Sequence, residues 1–156
     1  FASNVCCAYR KDIFVRQGGF TGHTIFNEDM IYAAGAIRAG YGVAYEPRAM
    51  VVHSHNLSLV QQFRRNFDLA VSQADHPEVF AGVPSEGEGI RLVKRTAGYL
   101  AASGRFWLLP ALAAGSAAKY LGYKAGRNYR KLPRRLVLAC SMSPFYWKRT
   151  WAREET

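Results

Sequence analysis

The chain has 156 residues, 49% of them apolar and 21% charged, a composition that excludes a disordered or collagen-like polymer and leaves room for one ordinary domain with a core. Lysine and arginine outnumber aspartate and glutamate by 21 to 11, for a net charge of +10, and three cysteines are too few for a disulfide scaffold. Phe1 opens the chain with no basic-then-apolar leader behind it, so the expectation is of a fragment whose upstream part lies elsewhere.

Residues 5–17 read as a short helix closing at Gly18-Gly19, where glycine permits the left-handed conformation that ends a helix. Residues 20–27 mix Gly, His, Thr and aromatics without a period and read as a loop, free enough to shape an acceptor pocket. Glu28-Asp29 precede a helix over 30–39, with Met30, Ala33, Ala34 and Ile37 on one face and Gly40 as its stop. Residues 42–46 and 49–53, split by Pro47, are β-branched or aromatic and read as strands. The polar cluster His53-Ser54-His55-Asn56 follows. Ser58 is placed to cap a helix over 59–74, whose apolar stripe is Val60, Phe63, Phe67 and Val71. Residues 75–89 read as a loop, and 86–103 contain a helix broken by Gly104. A long helix then runs to about residue 130, with Pro133 and Pro144 punctuating the end. Its opening, FWLLPALAAGSAA, carries no charge over 13 residues. A membrane span needs about 20, so the expectation is a buried helix or an in-plane membrane contact. Two short strands cannot cover so many helices, so the expected architecture is α/β with most of its sheet elsewhere.

The positive charge is concentrated at the end. Residues 119–156 hold 10 basic and 2 acidic side chains, interleaved with Tyr120, Tyr123, Tyr129, Phe145, Tyr146, Trp147 and Trp151. Cations beside amphipathic aromatics suit an anionic lipid surface, a nucleic-acid backbone, or simply a solvated helix face.

Two clusters have chemical potential. Glu28 and Asp29 sit where a helix dipole and free amides favour carboxylates for structural reasons alone; the functional alternative is a general base that takes the proton of an attacking sugar hydroxyl. His53 and His55 are two residues apart, so in extended backbone they project to one side and both reach a single metal ion, or act as ordinary hydrogen-bonding residues. Cys6-Cys7 lack the spacing of a structural zinc site and, with Cys140, read as small apolar side chains. The sequence contains no phosphate-binding glycine loop and no Ser/His/Asp nucleophile elbow.

The ordered series Phe1-Ala2-Ser3-Asn4-Val5, Ala8-Tyr9-Arg10, Gly18-Gly19-Phe20, Phe26-Asn27-Glu28-Asp29, Ala39-Gly40-Tyr41, Ala44-Tyr45 and Val52-His53-Ser54-His55-Asn56 resembles the second half of a bacterial family 2 glycosyltransferase. Gln61-Gln62-Phe63-Arg64-Arg65-Asn66-Phe67-Asp68 and Lys131-Leu132-Pro133 bring the resemblance to the rhamnosyltransferase-like branch. It implies a GT-A nucleotide-sugar transferase fold, of which residues 1–75 would be the C-terminal half and 76–156 a helical, basic extension. It also implies inverting transfer, for this branch from dTDP-L-rhamnose to a glycan acceptor. On that pattern Asp29 is the catalytic base and Glu28 its acceptor-binding neighbour. His53, or His55, completes a Mg²⁺ or Mn²⁺ site, and Gln62, Arg64 and Arg65 lie near the diphosphate or acceptor. The family's Asp-x-Asp motif is absent, so the chain alone is expected to be inactive. The Gln-x-x-Arg-Trp pattern of processive members is absent too, which favours single-sugar transfer. Charge and resemblance together place the expected enzyme at the inner face of the cytoplasmic membrane, without nucleic acid as a partner. The alternative is a non-enzymatic basic module docking on anionic membrane or nucleic acid.

Overall fold

The computed structural model describes residues 3–82 and 85–154. The described residues form eight α-helices in succession: α1 Lys11–Arg16, α2 Glu28–Arg38, α3 Leu59–Asp75, α4 Pro77–Phe80, α5 Ser85–Ala102, α6 Leu109–Arg127, α7 Arg134–Cys140 and α8 Pro144–Glu154. Short 3-10 turns, Phe106–Leu108 and Tyr129–Lys131, flank α6. The described residues contain no strand, so the α/β, GT-A-type expectation is overturned. Residues 42–46 and 49–53 have β-forming composition, but a strand exists only by pairing its amides with a neighbour. Here the backbone closes on itself: the Ala49 N–H donates to the Glu46 carbonyl at 3.1 Å and Met50 to Arg48 at 3.0 Å. Tyr45, Met50 and Val52 are left exposed.

Helix ends follow local chemistry. Gly18, Gly19, Gly40 and Gly104 all take positive φ, as expected of residues that stop helices. Ser58 opens α3 with a reciprocal capping box: its Oγ accepts the Gln61 N–H at 3.3 Å and the Gln61 Oε1 accepts the Ser58 N–H at 2.9 Å. Only the last half of the helix expected over 5–17 forms, and the loop expected over 75–89 contains α4. In α2 the buried residue is Ala36, while Ile37 of the expected apolar face is exposed.

The organising contact is α3 against α6. Gly115 lies by the Gln62 side chain, Gly122 against Phe63, and Gly126 against Phe67 and Ala70. Just past α6 the Tyr129 hydroxyl donates to Asp75, the last residue of α3, at 2.6 Å. Partner numbers rise together, so the two helices run in the same direction, with α5 the connection that returns the chain to α6's start. A Cβ on Gly122 would fall 2.2 Å from the Phe63 carbonyl oxygen, and one on Gly126 2.3 Å from that of Phe67. The backbones therefore touch with no side chain between them.

On the other face of α3, Phe67 and Val71 are fully buried with Val137 of α7 and Trp147 of α8. Trp147 is ringed by Tyr129, Tyr146 and Trp151, with centroids 5.3–5.5 Å away. The aromatics of the basic tail are thus largely core, since a chain this size needs large apolar side chains inside it. The uncharged opening of α6 is not a buried helix: Phe106, Trp107 and Leu108 are exposed. Among the described residues no helix is long and apolar enough to cross a membrane.

Asp68 is also inside, 2% exposed. Its Oδ2 accepts the Met142 N–H at 2.9 Å, which clasps the α7–α8 connection to α3, while Oδ1 has no partner. Burial pushes its carboxyl above the ordinary aspartate range, against the opposing bonds from Ser141 and Met142.

Two tests follow from this packing. Gly122→Ala and Gly126→Ala force the helices apart and destabilise by about 1–3 kcal/mol in denaturant melts. Gly98→Ala in α5, where a Cβ meets nothing within 4 Å, stabilises by about 0.5–1 kcal/mol through helix propensity. For Asp68 the folded carboxyl holds its proton to higher pH than the unfolded one, so its burial cost is absent in acid and grows as pH rises through the folded value. Asp68→Asn, which keeps an acceptor for Met142, melts above the unsubstituted chain at pH 7, and the gap closes on acidification to about pH 4.

Candidate functional site

Two polar clusters stand out, on either side of the α2–α3 connection. The first is Glu28-Asp29 at the start of α2. Asn27 before them is buried, takes φ +63° and donates through Nδ2 to the Leu69 carbonyl of α3 at 3.4 Å. Asn4 joins both carboxylates: its backbone N–H donates to Asp29 Oδ2 at 2.8 Å and its Nδ2 to Glu28 Oε1 at 3.1 Å. Asp29 Oδ1 accepts the Met30 N–H at 2.8 Å. Each Asp29 oxygen keeps a second lone pair for a further donor.

Asn4 is itself aimed by Tyr9, whose hydroxyl donates to Asn4 Oδ1 at 2.6 Å. The Tyr9 ring is one of four, with Phe14, Phe20 and Tyr32, whose centroids lie 4.9–5.8 Å apart in tilted and edge-to-face pairs. This cluster fastens α1 and the segment before it to α2. The Tyr9 hydroxyl is pushed above its ordinary range, first by burial and then by Cys7 and the Asp29 and Glu28 carboxylates. It therefore stays protonated and remains a donor.

The loop before α2 is pinned to α3. Ser72, buried, donates to the Phe26 carbonyl and meets the Thr24 hydroxyl at 3.0 Å, and the Arg65 guanidinium lies 5.0 Å over the Phe26 ring. Gly22 and His23 of the same loop wall an open groove of about 670 Å³ with α8, where His23 Nδ1 and Arg153 are 3.2 Å apart.

The second cluster is a recess of about 390 Å³ lined by His55, Leu57, Gln62, Arg65, Asn66 and Lys119. Gln62 bonds the Leu57 carbonyl at 3.0 Å and so holds the chain that delivers His55. Two cations and a histidine with amide donors on a helix's first turns form an anion-attracting surface. The His53 and His55 rings stand edge to face, centroids 4.4 Å apart, on the same side as their two-residue spacing implies.

The expected site residues are therefore divided. His55, Gln62 and Arg65 come together. His53 touches His55 but does not line the recess. Arg64 is exposed and near Cys140, on which its charge acts. Among the described residues no hydrogen bond or ion pair joins Glu28 or Asp29 to the histidines. No three His, Cys, Asp or Glu side chains gather to hold a metal ion there, so the two imidazoles do not make a divalent-cation site by themselves. Cys6, Cys7 and Cys140 are free thiols. Three participants escaped the sequence reading: Asn4, Asn66 and Lys119. Asn4 lies within the motif that carries the resemblance, whereas Lys119 reaches the recess only because α6 packs on α3.

Comparison with known proteins now adds relatives. The chain is 43% identical over 150 residues, 94% of its length and 47% of the relative's, to the O-antigen chain rhamnosyltransferase WbaN of Salmonella anatum. It is 42% identical over the same length to the O-antigen chain rhamnosyltransferase RfbN of Salmonella typhimurium. The chain spans about half the length of these curated relatives. No protein-family model matches it, and no solved structure does. The relationship is to glycosyltransferases, and within them to rhamnosyltransferases of O-antigen chains.

The four-ring cluster yields a prediction. Tyr9→Phe keeps the rings and removes one 2.6 Å bond, costing about 1 kcal/mol in a thermal or urea melt. Tyr9→Ala empties the ring site and costs about 2–3 kcal/mol.

Proposed function

We propose that this chain is the part of an inverting family 2 glycosyltransferase that carries the acceptor-activating carboxylate. The complete protein would transfer L-rhamnose from dTDP-L-rhamnose to a hydroxyl of a growing O-antigen glycan. The reading is carried by the Glu28-Asp29 pair, half-buried and positioned by Asn4, in a chain whose relatives bear the name O-antigen chain rhamnosyltransferase.

In the proposed step the acceptor oxygen attacks the anomeric carbon as the bond from that carbon to the diphosphate breaks, which inverts the configuration. A sugar hydroxyl is far too weak an acid to ionise first, so its proton passes to Asp29 as the new bond forms. Glu28, whose Oε2 has no hydrogen bond among the described residues, receives a second acceptor hydroxyl. The recess of His55, Gln62, Arg65, Asn66 and Lys119 suits the diphosphate, whose negative charge grows as it leaves. No step is assigned to a divalent cation, because the described residues do not complete its ligands.

In the complete protein Asp29→Asn is expected to lower kcat by about 10²–10⁴-fold with donor binding, measured by calorimetry, within about twofold of the unsubstituted protein. Glu28→Gln raises the acceptor KM instead. Arg65→Met with Lys119→Met weakens binding of free nucleoside diphosphate by about tenfold or more. Full turnover in Asp29→Asn, or the kcat loss appearing in Glu28→Gln instead, overturns the assignment.

A further inference from the structure

The basic tail, read from sequence, offered an aromatic and cationic surface for lipid, but folding spends most of its rings: Trp147 is 3% exposed, and Tyr129, Tyr146 and Trp151 pack around it. Phe145 and Tyr120 of the tail stay exposed, 77% and 48%, but the adjacent pair of exposed aromatics, Phe106 and Trp107, lies outside it. At the tip where α5 turns into α6, every residue from 101 to 108 is exposed. Phe106 is 60% and Trp107 72% exposed, and Leu108 extends the patch. Leu92 and Tyr99, seven residues apart on one face of α5, are 66% and 63% exposed. Lys94, Arg95 and Arg105 stand among them and form no ion pair with any described residue. From Gly89 to Arg153 the sequence contains fourteen basic residues and no acidic one.

We propose that the α5–α6 tip is a docking surface for an anionic lipid bilayer, with Phe106 and Trp107 entering the interface and Lys94, Arg95 and Arg105 meeting the headgroups. The chemistry selects lipid over another protein. An apolar tip of a few large side chains, a tryptophan among them, ringed by cations, satisfies both layers of a membrane surface. Nothing acidic on α5 after Glu88, in the turn or on α6 repels the headgroups. Because α3 and α6 run the same way, the tip projects from the end at which α3 begins. The recess with Lys119 then lies about 15 Å along α6 from the tip, within reach of a charged group just above a bilayer. The proposal stands apart from the transfer chemistry, since its readout is partition and not turnover.

The test uses the full chain and vesicles of phosphatidylcholine alone or with 30 mol% (about one lipid in three) phosphatidylglycerol. The expected result is co-sedimentation with the anionic vesicles only, weakening as salt rises from about 0.05 to 0.5 M. Phe106→Ser with Trp107→Ser should lower the partition coefficient about tenfold or more, while Lys148→Gln with Arg149→Gln, on α8, lowers it less than about threefold. Brominated lipid should quench the fluorescence of the unsubstituted chain, and Trp107→Phe should abolish that quenching, a readout independent of how well the double variant folds. Four outcomes overturn the proposal: no binding to anionic vesicles, equal loss in the α8 variant, quenching that survives Trp107→Phe, or a tip that drives self-association in sedimentation without binding vesicles.

Discussion

Direct contact between two helix backbones holds this molecule together. Gly122 and Gly126 let α6 settle onto the Phe63 and Phe67 carbonyls of α3, and any side chain there would hold the helices apart. Close approach fixes the axial register as well as the distance. With Gly126 seated by Ala70, Tyr129 reaches Asp75, and Arg130 reaches the same carboxylate at 2.8 Å. With Gly115 by Gln62, Lys119 comes beside Arg65. The same contact leaves the opposite face of α3 for Phe67 and Val71, against which α7 and α8 fold.

The charge of the chain is managed by the same packing. Four of its carboxylates join elements: Asp68 clasps the α7–α8 connection, Asp75 receives Tyr129 and Arg130, and Glu28 and Asp29 receive Asn4. Burial and the Asp75 carboxylate push the Tyr129 hydroxyl up to about 12, so it remains a donor across the ordinary pH range. The cations are mostly left on the surface, where hydration costs them nothing. From residue 89 to 153 the chain has fourteen basic side chains and no acidic one, and that stretch presents positive charge of the sign that suits diphosphates and lipid headgroups alike.

The carboxylate pair, at the start of α2, is tied to α3, the helix that lines the basic recess. Asn27 hangs the start of α2 from Leu69, Ser72 fastens the preceding loop, and Arg65 reaches from Phe26 to the recess. Groups intended for a reaction gain from mounts of this kind, because a side chain already held loses little freedom when substrate arrives. In the rhamnosyl-transfer reading, α3 is the common base plate of proton acceptor and leaving-group site.

The sequence by itself determined what depends on neighbours along the chain. The glycine stops at 18, 19, 40 and 104, the Ser58 cap, the extents of α3 and α5, the acidic pair at a helix start and the kinship with rhamnosyltransferases were all legible, because propensity, capping and motif order are local. Tertiary structure alone decided the rest. Residues 42–53 look like strands, yet with no partner among the described residues their amides cannot enter a ladder. Trp147 and Trp151 look like membrane aromatics in the sequence, but whether a ring faces lipid or core depends on which helices cover it. Asn4 and Lys119 are unremarkable as letters; 24 and 54 residues of chain separate them from the Glu28 and Arg65 they accompany, and only the fold brings them there.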